Sequence, residues 1–140
     1  MPIAIIIFFV NLFFFILSPI ALAKSHRPQD FLLDIEGKAN EGQLIVKHYC
    51  SNCHASKPLI NLGAPRINSD RDWRLRVQQD FALLFQHTDQ GIHMMPARGG
   101  CFECTDYQLL LAILAIIPEK ESKKIIKNHK EFIRNIRLKK

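Results

Sequence analysis

The chain of 140 residues carries 19 Lys and Arg residues against 13 Asp and Glu residues, which gives a formal net charge of +6. The whole positive excess lies in residues 119–140, where nine basic side chains accompany three glutamates, whereas residues 24–118 hold ten charges of each sign. No internal repeat or low-complexity segment occurs, which excludes a repeat architecture. The length therefore suits one small domain with a limited core of its own.

The amino terminus is an almost unbroken apolar run over residues 3–17, followed by Pro19 and the small-residue exit at residues 21–23. This pattern predicts a secretory signal peptide over residues 1–23. The alternative is an uncleaved anchor, because residues 3–23 are just long enough to span a bilayer. In both cases we expect the remainder of the chain to be exported.

Beyond this segment the sequence predicts helices and loops and no strand. Residues 24–34 read as an irregular lead-in, and residues 39–50 have the pattern of a helix. Ser69 is a predicted N-cap with acidic residues in the first turn behind it. The apolar residues that follow at helical spacing are Trp73, Val77, Phe81, Leu84 and Phe85.

Residues 91–100 contain one proline and three glycines and are predicted to be irregular. Thr105 and Gln108 have the spacing of a capping box, which predicts a last core helix over residues 106–117. Its run of Leu and Ile side chains must be mostly buried.

Residues 50–54 read Cys-Ser-Asn-Cys-His. At this spacing two thiols can bond the two vinyl groups of haem while the adjacent imidazole reaches the iron. Cys50 and Cys53 are therefore predicted to attach a haem, with His54 as one axial ligand. A redox dithiol would need a strand-helix-strand unit around the motif, and the sequence pattern supplies none.

A second axial ligand has to come from elsewhere in the chain. Met95, directly before Pro96, fits best, because a thioether on a proline-braced loop can approach the iron without a helix competing for space. A His/Met pair raises the potential and leaves no open site for a substrate. The remaining candidates are Met94, His48, His87 and His93, or no residue at all.

The sequence resembles the cytochrome c5 family over about residues 42–117. The strings that carry the resemblance are Cys50 to His54, Gly63-Ala64-Pro65, Trp73, and Met95-Pro96-Ala97-Arg98-Gly99-Gly100-Cys101 through Cys104. The resemblance implies an all-α, class I cytochrome c fold, with helices wrapped around one covalently bound haem c. It also implies a periplasmic electron carrier with no catalytic residue, which exchanges electrons with redox partner proteins.

Residue by residue, the resemblance implies His54 and Met95 as the axial ligands of the haem iron and a disulfide between Cys101 and Cys104. It further implies that the carbonyl of Pro65 holds the His54 ring, an arrangement that orients a ligating imidazole and strengthens it as a donor. Three other residues are predicted haem contacts. They are Trp73 and, as partners of the haem propionates, Arg66 and Arg98, for which the alternative is a solvated surface charge.

Two alternatives of other classes remain open. A haem enzyme of peroxidase-like activity would require Met95 to leave the iron, with His93 as the acid-base residue. A zinc-structured interaction module would use all four cysteines, but 47 residues separate the two Cys-x-x-Cys pairs, more than zinc ribbons usually have.

The charge boundary at Pro118 predicts a haem domain over residues 24–118 and a basic amphipathic extension over residues 119–140. Three interpretations of the extension compete: a helix packed on the domain, a helix that binds anionic lipid, and a docking segment for an acidic partner. An exported chain excludes a nucleic-acid partner.

Overall fold

Helices make up the regular structure of residues 27–139, the part of the chain that the computed structural model describes. They are α1 (Pro28–Ile35), α2 (Glu41–Ile45), α3 (Ser51–His54), α4 (Asp70–Trp73), α5 (Phe81–Gln90), α6 (Asp106–Ile116), α7 (Glu119–Asn128) and α8 (Lys130–Leu138). Extended pairing in this part of the chain is limited to one isolated bridge, Ile92 to Met95. The all-α prediction is confirmed.

The predicted signal segment, residues 1–23, lies outside the described residues. No helix within residues 27–139 is both long enough and apolar enough to cross a membrane.

The prediction of an irregular lead-in before residue 35 is wrong, because residues 28–35 form α1. Pro28 stands in the first turn, where its fixed φ suits a helix and its missing N–H costs nothing. Leu32 and Ile35, one turn apart, are buried in the core. A single buried pair is too short a repeat to be recognised as a helical period.

The helix predicted over residues 39–50 forms as α2 followed by a π-helical turn, Val46–Cys50. α2 crosses α6 at Gly42. A Cβ added there would collide with the backbone carbonyl of Leu111 and lie 3.2 Å from the Cβ of Ala115. The absence of a side chain at Gly42 is therefore what lets the two helices approach.

Ser69 caps α4 as predicted, since its hydroxyl accepts a hydrogen bond from the Asp72 N–H at 3.3 Å. The helical spacing from Trp73 to Phe85, however, does not produce one helix. A 3₁₀ turn, Arg76–Gln78, intervenes, and α5 begins afresh behind Asp80, whose carboxylate accepts from the Ala82 N–H at 3.1 Å. The capping preference of an aspartate prevails over the apolar spacing.

The capping box that opens α6 is confirmed. The Gln108 N–H donates to Thr105 Oγ1 at 3.1 Å, and the Thr105 N–H donates to Gln108 Oε1 at 2.9 Å. The Gln108 amide also donates to the buried carboxylate of Glu41 at 3.1 Å, which ties the start of α6 to α2. α2, which precedes the Cys-x-x-Cys-His motif, and α6, which follows the last loop, are thus held together at their amino-terminal ends.

The extension forms two helices, α7 and α8, which meet at His129 rather than running as one. Ile125 and Ile136 are buried in the common core. The ring of Phe132 lies edge-on to Phe81 and Phe85, with centroids 5.6 and 5.8 Å apart. The apolar stripe of the extension is therefore directed into the protein.

Candidate functional site

A cavity of about 670 Å³ lies between the Cys-x-x-Cys-His segment, α5, α6 and the loop that joins α5 to α6. Its walls are mainly apolar and include Leu84, Leu109 and Ile113. The predicted site residues that line it are Cys50, Cys53, His54, Pro65, Trp73, Met95, Arg98 and Cys101, and two that do not are Arg66 and Cys104.

The two thiols of the motif stand on successive short helical segments. Cys50 ends the π-helical turn and Cys53 lies in α3, and both are unpaired and half-buried. Burial raises the pKa of the Cys50 thiol to about 11, and the neighbouring Cys53 acts in the same direction. Cys50 is therefore protonated at neutral pH. Both thiols face the same cavity.

The imidazole of His54 is buried, with 7% of the residue exposed. Its Nδ1 lies 2.7 Å from the carbonyl oxygen of Pro65, and because a carbonyl can only accept, Nδ1 carries the proton and Nε2 keeps its lone pair. Burial lowers the pKa of His54, the charges of Arg66 and Arg76 also lower it, and the bond to Pro65 opposes them. The ring is thus neutral with a free Nε2, the form that binds a metal.

Arg66 braces the loop that carries Pro65. Its guanidinium donates to the carbonyl of Cys53 at 2.8 Å and to the side chain of Asn61 at 2.7 Å. The indole of Trp73 in turn donates to the carbonyl of Arg66 at 2.8 Å. Arg66 therefore supports the acceptor of the His54 ring from outside the cavity, and its predicted contact with a propionate stays a prediction.

Met95 belongs to a tight turn at the cavity. The Ile92 N–H donates to the Met95 carbonyl at 3.1 Å, and the Met95 N–H donates to the Ile92 carbonyl at 2.9 Å. Met94, within the turn, is 70% exposed, whereas Met95 is partly buried. Both residues line the cavity, but Met95 is the less exposed of the two.

Cys101 and Cys104 are joined by a disulfide and are both buried. Across residues 27–139, no group of three or more His, Cys, Asp or Glu side chains is arranged to hold a metal ion. Because two of the four cysteines bond to each other, the four-cysteine zinc alternative has no site in this part of the chain.

Arg98 lies at the cavity, but its guanidinium is bonded to protein groups. It contacts the carboxylates of Asp89 and Asp106 and the carbonyl of Cys104. Neither aspartate belongs to a sequence motif. They lie nine residues before and eight residues after Arg98, at no motif spacing, so no local signal pointed to them.

Comparison with known proteins decides the family. Residues 37–113, more than half of the chain, match the family model described as cytochrome C oxidase, cbb3-type, subunit III. The chain belongs to this cytochrome c family. The cytochrome is 33% identical over 79 residues to cytochrome c5 of Azotobacter vinelandii, which covers 55% of the cytochrome and 92% of that relative.

Two further relatives agree. The cytochrome is 32% identical to cytochrome c5 of Ectopseudomonas mendocina, over 55% of its own length and 87% of the relative. It is 28% identical to cytochrome c-555 of Prosthecochloris aestuarii, over 56% and 84% respectively. No solved structure matches significantly. The prediction of a cytochrome c5-like, class I cytochrome c with an all-α fold is thereby confirmed.

The family implies haem c as the cofactor, and the residues at the cavity fit it. Two unpaired thiols suit the two vinyl groups, a neutral imidazole with a free Nε2 suits the iron, and mainly apolar walls suit the macrocycle.

Proposed function

We propose that this cytochrome is an exported one-electron carrier with a single haem c, attached through Cys50 and Cys53 and ligated by His54 and Met95. One observation carries the proposal: the neutral His54 ring, held by Pro65, faces the same cavity as both free thiols and the partly buried Met95. When bound, haem supplies an iron that alternates between the ferrous and ferric states.

The residues of the chain contribute orientation and environment. The Pro65 carbonyl fixes the tautomer and the orientation of His54, which would present Nε2 to the haem iron. The soft thioether of Met95 favours ferrous iron and raises the potential. If His54 and Met95 both bind the iron, no coordination position would remain for a substrate, and the cytochrome would act as an electron carrier rather than an enzyme.

The ligand assignment predicts different outcomes for the two adjacent methionines. In Met95→Ala we expect the weak red charge-transfer band of ferric iron-thioether haem to vanish. The potential should fall by on the order of 100 mV, a modest part of the range of about 0.8 V that axial ligands set. Absorption spectroscopy and redox titration measure both effects.

Met94→Ala is the matched control, because Met94 is largely exposed, and it should keep the band and the potential. The opposite result would exchange the roles of the two methionines. Rapid carbon monoxide binding to the reduced wild type would reveal an open axial position, and would favour the peroxidase-like alternative with His93.

We further propose that residues 24–118 are the haem domain and that residues 119–140 are a packed extension whose outer face is basic. The buried Ile125 and Ile136 support the packed arrangement. We propose that the protein is periplasmic, with residues 1–23 as a signal peptide or an anchor. The donor and acceptor are redox proteins, and an acidic partner or an anionic membrane surface suits the basic face.

Deleting residues 119–140 should lower the thermal unfolding temperature without changing electron exchange with a small neutral oxidant. Phe132→Ala should also destabilise the protein, by about 2 kcal/mol in the free energy of unfolding, because the half-buried ring fills the space beside Phe81 and Phe85. Calorimetry measures the first effect and stopped-flow kinetics the second.

The control replaces the exposed Lys124, Lys127 and Lys130 by Gln, which removes charge and keeps the packing. It should leave the unfolding temperature unchanged and weaken any salt-dependent binding to acidic partners or anionic vesicles, since exposed charges are screened beyond about 8 Å at physiological ionic strength. Unchanged stability after the deletion would refute the packed arrangement.

A further inference from the structure

Arg98 holds an unusual position at the end of the loop that carries Met95. Its φ is +56°, in the left-handed region that residues other than glycine rarely adopt, and it is followed by Gly99 and Gly100, which also have positive φ. Its side chain is only 20% exposed. A costly backbone conformation and a half-buried charge together indicate that the surroundings hold this residue in place.

The guanidinium of Arg98 joins three separate parts of the chain. Nη1 donates to Asp89 in the last turn of α5. Nη2 donates to the carbonyl of Cys104 at 2.6 Å and to the carboxylate of Asp106, the first residue of α6, at 3.1 Å. One side chain therefore connects the end of α5, the disulfide loop and the start of α6.

Met95 lies in the segment between Asp89 and Arg98, two of the residues that this connection joins. The pairing of Arg98 with Asp89 closes residues 89–98 into a loop, and the Ile92–Met95 turn lies inside it. The pairing also neutralises a carboxylate at the carboxyl end of α5, where the helix dipole disfavours negative charge. Loss of the cluster that Arg98 forms with Asp89 and Asp106 would free the loop at both ends while leaving the disulfide intact.

We propose that Arg98 is a positioning residue, which with Asp89 and Asp106 holds the Met95 thioether toward the cavity and sets how readily that ligand is displaced. This role rests on the proposed assignment of Met95 as an axial ligand. It replaces a contact with a haem propionate, because the guanidinium already donates to two carboxylates and a carbonyl. The planar guanidinium presents its N–H donors as a rigid fork that can reach three acceptors, and the ammonium group of a lysine does not reproduce this arrangement.

The test is displacement of the sixth ligand by imidazole in the ferric holoprotein, followed through the red band. In Arg98→Gln we expect imidazole to bind about tenfold more tightly, as expected when hydrogen bonds between charged groups that order a segment are lost. Arg98→Lys should lie between Arg98→Gln and the wild type. Asp89→Asn, which leaves Asp106 and Cys104 in place, should shift the affinity in the same direction by less.

Hydrogen exchange gives a second readout that does not depend on the ligand. In Arg98→Gln the amides of Met95 and Gly99 should exchange faster, while those in the middle of α6 keep their protection. Replacing the exposed Arg134 by Ala should change neither measurement.

A changed potential in Arg98→Gln with unchanged imidazole affinity and unchanged amide exchange would overturn the proposal and indicate a propionate contact. Faster exchange throughout α6 would overturn it as well, because the cluster would then stabilise the whole fold rather than the loop. Failure of the ligand assignment is recognised separately, by a red band that survives in Met95→Ala.

Discussion

Acidified acetone is expected to leave the haem on the wild-type cytochrome. In a variant with both Cys50→Ala and Cys53→Ala we expect no covalently bound haem. Thioether bonds resist acid, whereas a haem held only by its axial ligands is extracted once acid protonates the imidazole of His54. Intact mass should show one covalent haem on the wild type made with haem-maturation machinery. The single variant Cys53→Ala should retain one thioether or fail to mature.

The matched control removes two cysteines outside the motif. Cys101→Ser with Cys104→Ser should keep the covalent haem, because these residues bond to each other and not to the cofactor. A wild-type mass without haem from such material would reject the proposed cytochrome site, whatever the fold.

Among the single substitutions, Gly42→Ala should have the largest effect on stability. Alanine is favoured over glycine inside a helix by about 1 kcal/mol, but here its Cβ would collide with the Leu111 carbonyl. That carbonyl belongs to the backbone of α6 and cannot rotate away, so α2 and α6 must separate. We expect a net loss of about 3 kcal/mol in the free energy of unfolding, at the upper end for overpacked sites, measured by urea titration.

Gln43→Ala is the control for this substitution, since Gln43 is the exposed neighbour in the same helix and should tolerate alanine. Ala115→Gly should not rescue Gly42→Ala, because it removes the milder contact at 3.2 Å and leaves the backbone collision. An unchanged urea midpoint in Gly42→Ala would show that the helices do not cross as closely as the structure has them.

Several helix ends were predictable because their signals are local. Ser69 and the pair Thr105 and Gln108 cap helices through side chains that bond backbone groups three residues away. The failures came where a short element depends on burial. α1 is stabilised by two core contacts, and the helix expected through Phe85 is broken by the cap at Asp80.

The Cys-x-x-Cys-His motif could be recognised from the sequence for the same reason. Cys50, Cys53 and His54 are separated by at most three residues, so one helical turn brings them to one side whatever the rest of the fold. The pairing of Cys101 with Cys104 is equally local and is present in the structure.

Contacts between distant segments needed the tertiary structure. Met94 and Met95 are neighbours with the same side chain. The sequence favoured Met95 because Pro96 follows it, and the folded turn leaves Met94 exposed and Met95 partly buried. Arg98 was predicted as a possible partner of a haem propionate, and that contact stays a prediction. Its observed partners come from α5, the disulfide loop and α6. The helical class and the Cys-x-x-Cys-His motif were predictable from the sequence alone, since short-range hydrogen bonds and spacing encode both. Packing of α5, α6 and the loop decided which charges meet, because such pairing depends on where the segments lie in space.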